Sequence, residues 1–297
     1  MENSFGIFFV YSVTFYFIIM KNLFFSIFLV FSFINVNAQA DTTSQFQKVT
    51  GFSHPESVVM DSRNKVIYVS NIGEKEEGDG FISRVSLDGE VLDQKWVTGL
   101  NDPKGLLLIN NVLWVTDNTD LVYININEGK IEERIPVEDA SFLNDITVGV
   151  NGVIYISDTG KSSIYIREPS GKISEWLKTE ELEFPNGLLA VGKNLYVAAW
   201  GGEGPGNVLR IEIDSKTIEK ITKRGIGNLD GIQQINDEQF YISDWASGKI
   251  YMVDLKGEVT EVLTSEKSAG DILFNTQANQ LVIPMNHQNE VWWYNLE

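Results

Sequence analysis

Six short polar motifs recur along the sequence, each directly before a stretch of aliphatic residues. Aligned on the aliphatic residue that closes each motif, their third positions supply two carboxylates, two amides, one ammonium and one glycine. In chain order these residues are Glu56, Lys104, Asn144, Asn186, Asp230 and Gly270. Two carboxylates that converge on a narrow space repel each other unless a cation lies between them. A hard cation with carboxylate, amide and water ligands meets that need, so the sequence predicts a metal site.

The composition narrows the choice of cation. The chain has no cysteine and two histidines, His54 and His287, which argues against zinc or copper. Calcium is the expected ion, and magnesium or another divalent cation is second. The two carboxylates and two amides of the ring are the side chains that could supply its oxygen ligands.

Two alternatives need no metal. The ammonium of Lys104 could reach across the ring and pair with Glu56 or Asp230. Asn186-Gly187 and Asp230-Gly231 are also pairs that commonly form turns, and turns alone would account for them. The variation of residue type around the ring favours a site over turns alone.

The elements that must position these residues are strands. An apolar strand, aromatic at its centre in five of six cases, recurs after each motif, and short strands with a period of about 40–45 residues are typical of a β-propeller. The central residues of these strands are Tyr68, Trp114, Tyr155, Tyr196, Tyr241 and Val282. We therefore predict an all-β fold, a six-bladed β-propeller of four-stranded blades.

The propeller architecture places the polar ring. The first strand of each blade is the innermost, so the third positions of the motifs should surround the mouth of the central channel. The second strands return to the same face, which brings Trp200 and Trp245 near as substrate-binding candidates, although packing between blades would also explain them. His54 is a rim candidate, and Lys104 a candidate for holding an anionic substrate group.

The ends of the chain predict how the ring closes. The sixth repeat ends at Glu297 without a fourth strand, whereas Gln45 to Val49 is a spare strand-like stretch. We predict that this N-terminal strand completes the last blade and removes an exposed edge.

Residues 1–40 resemble a secretory signal peptide, with an apolar run from Leu23 to Val36 and the small-x-small pattern Ala38-Gln39-Ala40. Met20 is a possible alternative start. A membrane anchor beginning near Phe5 is the other explanation of the apolar segment. We expect cleavage and a single domain over residues 41–297, secreted or periplasmic, with no stable membrane insertion.

The formal net charge of −18 makes nucleic acid an improbable partner, because such a surface repels phosphate. We expect a monomer that takes a small molecule.

The chain resembles the senescence-marker-protein/gluconolactonase/LRE-like family of six-bladed propellers. The resemblance is carried by Pro55-Glu56-Ser57, Asn144-Asp145, Pro185-Asn186-Gly187-Leu188 and Asp230-Gly231. It implies a calcium ion held by Glu56, Asn186 and Asp230, with Asn144 beside it, and hydrolysis of lactones and related esters. Strictosidine-synthase-like and paraoxonase-like proteins and NHL repeats share parts of the pattern.

One position departs from that family. Sugar-lactone members usually carry an arginine two residues before the position of Asn144, and here that residue is Phe142. A sugar acid would lose a binding group there, so Phe142, as a substrate-binding candidate, favours a more apolar lactone or ester.

The expected chemistry follows from the predicted site. A cation there would polarise the substrate carbonyl and stabilise the developing oxyanion, with water as the nucleophile. Asp230 is the candidate base, with Asn144 touching the substrate and Asp145 assisting if it faces the channel. The leading prediction is a calcium-dependent lactonase or esterase. The alternative is a non-catalytic ligand- or partner-binding propeller of NHL-like type.

Overall fold

The computed structural model describes residues 46–74 and 76–296, and the predicted signal peptide lies outside this part of the chain. The described residues form a six-bladed β-propeller whose blades are four-stranded antiparallel sheets, as predicted. Helical structure in this part is limited to short 3₁₀ turns, among them Thr159–Lys161 and Asn286–Gln288. No helix among these residues has the length and apolar character needed to span a membrane.

The strands follow one another from the channel outwards in each blade. Blade 1 contains β2 (Pro55–Asp61), β3 (Val66–Asn71), β4 (Gly80–Ser86) and β5 (Val91–Leu100), and blade 2 contains β6 (Pro103–Ile109), β7 (Val112–Asp117), β8 (Asp120–Asn125) and β9 (Lys130–Pro136). Blade 3 contains β10 (Leu143–Val148), β11 (Ile154–Asp158), β12 (Ser163–Arg167) and β13 (Ile173–Lys178), and blade 4 contains β14 (Pro185–Val191), β15 (Asn194–Ala199), β16 (Val208–Glu212) and β17 (Ile218–Lys220). Blade 5 contains β18 (Leu229–Asn236), β19 (Gln239–Asp244), β20 (Lys249–Asp254) and β21 (Val259–Thr264).

Blade 6 joins the two ends of the part of the chain that the structure describes. It contains β22 (Leu273–Asn275), β23 (Gln280–Met285), β24 (Glu290–Asn295) and, on the outside, β1 (Phe46–Thr50). β1 runs antiparallel to β24, with Phe46 opposite Tyr294 and Thr50 opposite Glu290. The predicted closing strand is therefore confirmed, one residue later than expected.

The second strands hold neighbouring blades together because their side chains alternate between two interfaces. In β3, Val66 and Tyr68 pack against blade 2, while Ile67 and Val69 pack against blade 6. The same alternation around the ring produces six hydrophobic clusters, one at each interface between adjacent blades. Burial on both faces explains why these strands are apolar throughout rather than alternating.

A β-bulge interrupts the first strand of each of the first five blades at the polar ring position. The pairing register shifts between Pro55 and Val58 in β2 and between Pro185 and Gly187 in β14, and equivalent shifts occur in β6, β10 and β18. A bulge bends the strand and redirects a side chain. The ring residues are thus turned towards the channel by a repeated irregularity of the backbone.

Hydroxyl groups on the second strands satisfy the backbone groups that the bulges leave unpaired. Ser157 accepts a hydrogen bond from the N–H of Asp145 at 2.8 Å and donates to the carbonyl of Asn186 at 2.7 Å. In blade 5, Ser243 accepts from the N–H of Gly231 and donates to the carbonyl of Gly270, both at 2.7 Å. Ser157 therefore ties a bulge to the first strand of the next blade, and Ser243 ties one to the segment that precedes the first strand of blade 6.

Candidate functional site

The five ring side chains meet at one cavity of about 450 Å³, and Glu56, Lys104, Asn144, Asn186 and Asp230 all line it. The four predicted substrate-binding residues other than Lys104 line the same cavity; they are His54, Phe142, Trp200 and Trp245. The turn interpretation of the Asn-Gly and Asp-Gly pairs is wrong, because Asn186-Gly187 lies in β14 and Asp230-Gly231 in β18. The glycines have a packing reason instead: a Cβ on Gly187 would lie 2.1 Å from the carbonyl oxygen of Asp230.

Two carboxylate oxygens of the ring lack a hydrogen-bond partner among the described residues. They are Oε2 of Glu56 and Oδ1 of Asp230, on side chains of residues that are 7% and 4% exposed. A buried, unpaired carboxylate oxygen is costly, and native proteins almost always satisfy it. The ring is therefore a place where positive charge would relieve an electrostatic penalty.

The two ring amides are oriented by the hydrogen bonds that their nitrogens donate. Nδ2 of Asn144 donates to Oγ1 of Thr159 at 3.2 Å, and Nδ2 of Asn186 donates to Oδ2 of Asp230 at 3.3 Å. Each amide group is thus engaged through its nitrogen, which leaves its oxygen as the group that could face a cation. No cluster of three or more His, Cys, Asp or Glu residues suited to a metal occurs in residues 46–74 and 76–296, so any metal here would need these amides as ligands.

Burial and mutual repulsion perturb the ring carboxylates. Burial raises the pKa of Glu56 well above its usual range, and the charge of Asp230 raises it further. The pKa of Asp230 is raised in the same way, first by burial and then by Asp271. The ammonium of Lys104 lowers the pKa of both groups, but burial outweighs it. Such perturbed groups in a cavity are typical of functional sites.

Lys104 has a different ionic partner from the one considered in the sequence analysis. Its Nζ lies 2.5 Å from Oδ2 of Asp102 and 4.4 Å from the ring centroid of Phe142. The ion pairs of the described residues include none between Lys104 and Glu56 or Asp230. Lys104 influences the ring through its charge at a distance, and both ring oxygens stay unpaired beside it.

Asp145 does not line the cavity. Its two carboxylate oxygens accept hydrogen bonds from the backbone N–H groups of Ile146 and Leu188, each at 2.6 Å. The bond from Leu188 joins blade 3 to blade 4, whereas the bond from Ile146 lies within blade 3. Burial raises the pKa of the carboxyl, and the charge of Asp271 raises it further. The expectation that Asp145 faces the channel and assists the base therefore finds no support in its contacts, which are those of a structural residue.

Asp271 is a buried carboxyl that the sequence analysis did not select. Its Oδ2 accepts a hydrogen bond from Oγ of Ser57 at 2.7 Å, across the junction of blades 6 and 1. Burial raises its pKa to about 7, and the bond from Ser57 partly opposes this rise. Its charge raises the pKa of three other buried carboxyl groups, those of Glu56, Asp145 and Asp230.

The aspartates at the ends of the second strands position the loops that carry the site. Asp158 accepts hydrogen bonds from the backbone N–H groups of Ser141 at 2.8 Å, Phe142 at 3.0 Å and Lys161 at 3.2 Å. Asp117 and Asp244 make equivalent bonds in blades 2 and 5. These carboxylates hold the loop before each first strand rather than a ligand.

Replacement of Asp158 by alanine should lower the free energy of unfolding by about 2 kcal/mol, because buried N–H groups would lose a charged acceptor. For a chain of this size the melting temperature should fall by roughly 4–8 °C. Differential scanning calorimetry measures both. Glu138→Ala removes an exposed carboxylate from the preceding loop and is the control. Equal melting temperatures for the two variants would show that the backbone contacts of Asp158 are dispensable.

An aromatic wall lies on the side of the cavity formed by blades 4 to 6. The rings of Trp200 and Trp245 are 5.6 Å apart at 55°, and the ring of His287 lies edge-on to Trp245 at 4.8 Å and 82°. Both tryptophans line the cavity, and neither belongs to the hydrophobic clusters between blades. The contacts thus favour a cavity wall over core packing.

Four residues that line the cavity were not predicted from the sequence: Ile72, Thr159, Asn286 and His287. A positional signal was available. The residues directly after the second strands are Ile72, Asn118, Thr159, Trp200, Trp245 and Asn286. Five of them line this cavity, and Asn118 lines an adjoining cavity of about 620 Å³ that shares Ile72, Lys104 and Phe142 with it.

Comparison with known proteins supports the fold. The sequence matches no known family model and no curated protein at a significant level. Among solved structures it is similar to virginiamycin B lyase from Staphylococcus aureus, with a TM-score of 0.62 and 16% identity over 85% of this chain and 99% of that chain. A candidate gluconolactonase gives a TM-score of 0.64 with 16% identity over 85% of this chain and 93% of that one.

An auxiliary nutrient binding protein from Bacteroides thetaiotaomicron is also similar, with a TM-score of 0.65 and 10% identity over 82% of this chain and 69% of that chain. At these identities the likeness concerns the fold. The chain is a propeller of the type found in the gluconolactonase-like and virginiamycin-lyase structures.

Proposed function

We propose that this protein is a calcium-dependent hydrolase of lactones or esters, with its site in the cavity at the mouth of the channel. The observation that carries the proposal is the pair of buried, unpartnered oxygens on Glu56 and Asp230. Two desolvated carboxylates, each with an oxygen that lacks a hydrogen bond, share this cavity with amide oxygens. Such a donor set is suited to a hard cation. The candidate gluconolactonase of similar fold is consistent with this activity.

Glu56, Asn186, Asp230 and Asn144 would hold the calcium ion. When bound, it would supply Lewis acidity for the substrate carbonyl and for the negative charge that develops on its oxygen. Magnesium is the second candidate, because it also prefers oxygen ligands. Each of these four side chains lies at a bulge within a packed strand, and this favours a fixed arrangement around the cavity.

The remaining walls favour an apolar or aromatic substrate. Phe142, Ile72 and the two tryptophans present carbon-rich surfaces to the cavity. Phe142 is covered by the ammonium of Lys104, so the position that would carry a sugar-acid anchor instead supports an aromatic–cation contact. We propose aryl esters and lactones with apolar substituents as the substrate class, handled by a secreted or periplasmic monomer.

Turnover should depend on the metal and on the ring. We expect hydrolysis of aryl esters or apolar lactones by the purified protein, its loss in EDTA and its return on addition of calcium. Asp230→Asn should show no calcium-dependent hydrolysis, because it removes a charged ligand with little change in shape. The measurement is chromogenic or pH-stat hydrolysis across a substrate panel.

A second function has its own observation in favour. The similar Bacteroides structure is described as nutrient-binding, and the same mouth could hold a ligand without chemistry. In that case calcium would bind and stabilise the protein, but no member of the panel would turn over. This result would replace the hydrolase by a binding propeller of NHL-like type.

A further inference from the structure

The chain's two histidines, far apart in sequence, line the same cavity. His54 precedes β2 in blade 1, and His287 lies between β23 and β24 in blade 6. His54 belongs to one of the six polar motifs, whereas His287 belongs to none of them. In the structure His287 is the more exposed of the two, so its imidazole is accessible from the cavity mouth.

His287 is held in place by its backbone and by its ring. It lies in the 3₁₀ turn Asn286–Gln288, whose first residue donates its N–H to the carbonyl of Ser268 at 3.0 Å. The N–H of His287 donates to Oγ of the same serine at 2.9 Å. Its imidazole packs edge-on against Trp245 at 4.8 Å. The side chain is therefore presented by an anchored turn.

Blade 6 contributes to the cavity through this turn rather than through its first strand. Its ring position is Gly270, where a Cβ would lie 2.4 Å from the carbonyl oxygen of Glu56. No side chain can occupy that position without movement of the backbone of blade 1. His287 and Asn286 are the side chains that blade 6 brings to the cavity instead.

The proposed hydrolysis needs a proton acceptor that is not also a ligand of the cation. Glu56 and Asp230 would lose basicity when they bind the cation, and the ammonium of Lys104 is paired with Asp102. The imidazole Nδ1 of His54 is buried, and His54 is less exposed than His287, so water and substrate reach its ring less readily. Among the titratable side chains that line the cavity, His287 remains.

We propose that His287 is the catalytic general base and acid of this site, an inference that rests on the proposed hydrolase function. Its unprotonated imidazole nitrogen accepts a proton from water as the water oxygen bonds to the carbonyl carbon. The imidazolium then returns the proton to the leaving oxygen as the acyl C–O bond breaks. One water is consumed, and an acid and an alcohol form, or a single hydroxy acid from a lactone.

The test compares His287→Ala, His287→Gln and Gln288→Ala, the last of which alters the same turn without touching the imidazole. Both His287 variants should lose about 10²- to 10⁴-fold in kcat, the usual contribution of general acid–base catalysis, with little change in KM. Calcium binding measured by calorimetry should match wild type. Free imidazole should restore part of the kcat of His287→Ala, and Gln288→Ala should retain wild-type kcat.

The outcomes separate this inference from the proposed function. Wild-type turnover with an unchanged kcat in His287→Ala, or a loss that imidazole fails to restore, overturns the role of His287 and leaves the hydrolase intact. A kcat loss shared with Gln288→Ala shows that the turn matters rather than the imidazole, and also overturns it. Absence of turnover in the wild-type protein overturns both.

Discussion

Chelation of calcium should lower the stability of the wild-type protein by about 4 kcal/mol at a free calcium concentration near a thousand times its dissociation constant. The melting temperature should fall by roughly 8–16 °C, given the usual sensitivity of a chain of this size. The reason is the unpartnered Oε2 of Glu56 and Oδ1 of Asp230, which lose their counter-ion while they remain buried. Thermal melts in calcium and in EDTA measure the difference.

The effect of Glu56→Gln on stability, relative to wild type, should change sign between calcium and EDTA. In calcium it should be less stable than wild type, because a charged ligand is missing. In EDTA it should be at least as stable, because the substitution removes a buried carboxyl whose pKa burial has raised. Glu90→Gln changes an exposed carboxylate and should follow wild type in both. A Glu56→Gln protein that is destabilised equally in calcium and EDTA would assign Glu56 to packing and remove the main support for the metal.

Without calcium, stability should fall as the pH rises from 5 to 8. A carboxyl whose pKa is higher in the folded protein than in the unfolded chain binds a proton on folding at any pH between the two pKa values, so folding takes up protons there. The stability it contributes is present at low pH and is lost as the pH rises through that window. For Asp271 the window runs from 3.8 to about 7. At 1.36 kcal/mol per pKa unit, this group alone corresponds to about 4 kcal/mol.

Asp271→Asn tests the contribution of that group. Chemical denaturation at pH 5, 6, 7 and 8 in EDTA should show a flatter dependence for the variant than for wild type, with the two diverging most at pH 8. Asp88→Asn alters an exposed carboxylate and should run parallel to wild type. Parallel curves for Asp271→Asn and wild type would mean that Asp271 is ionised in the folded protein across the range.

Much of the architecture was accessible from the sequence because it follows from periodicity. Strands buried on both faces read as apolar runs, and their spacing predicts blades. The missing fourth strand of the sixth repeat and the spare stretch before Gly51 predicted β1. The convergence of Glu56, Asn144, Asn186 and Asp230 followed from the same repeat, since equivalent positions of a propeller face one channel.

Other features depend on distances between atoms, which a pattern in the sequence does not contain. A bulge is a mismatch between two paired strands, so it becomes visible only when the register is known. The ion pair of Lys104 with Asp102 depends on side-chain conformation, and the backbone contacts of Asp145 depend on how closely blades 3 and 4 approach. The place of His287 at the cavity depends on the 3₁₀ turn after β23, which the spacing of the strands does not predict.

The pairing of β1 with β24 also has a consequence for the order of synthesis. The first strand of the propeller to leave the ribosome pairs with the last, so the ring cannot close until β24 has been made. The cluster that joins blade 1 to blade 6, which includes Val58 and Trp293, must wait for the same event. Contacts so distant along the chain slow folding. A premature stop codon that removes only β24 would therefore leave β1 without its pairing strand and take Val291 and Trp293 out of the contact with blade 1, although every residue of that blade had been made.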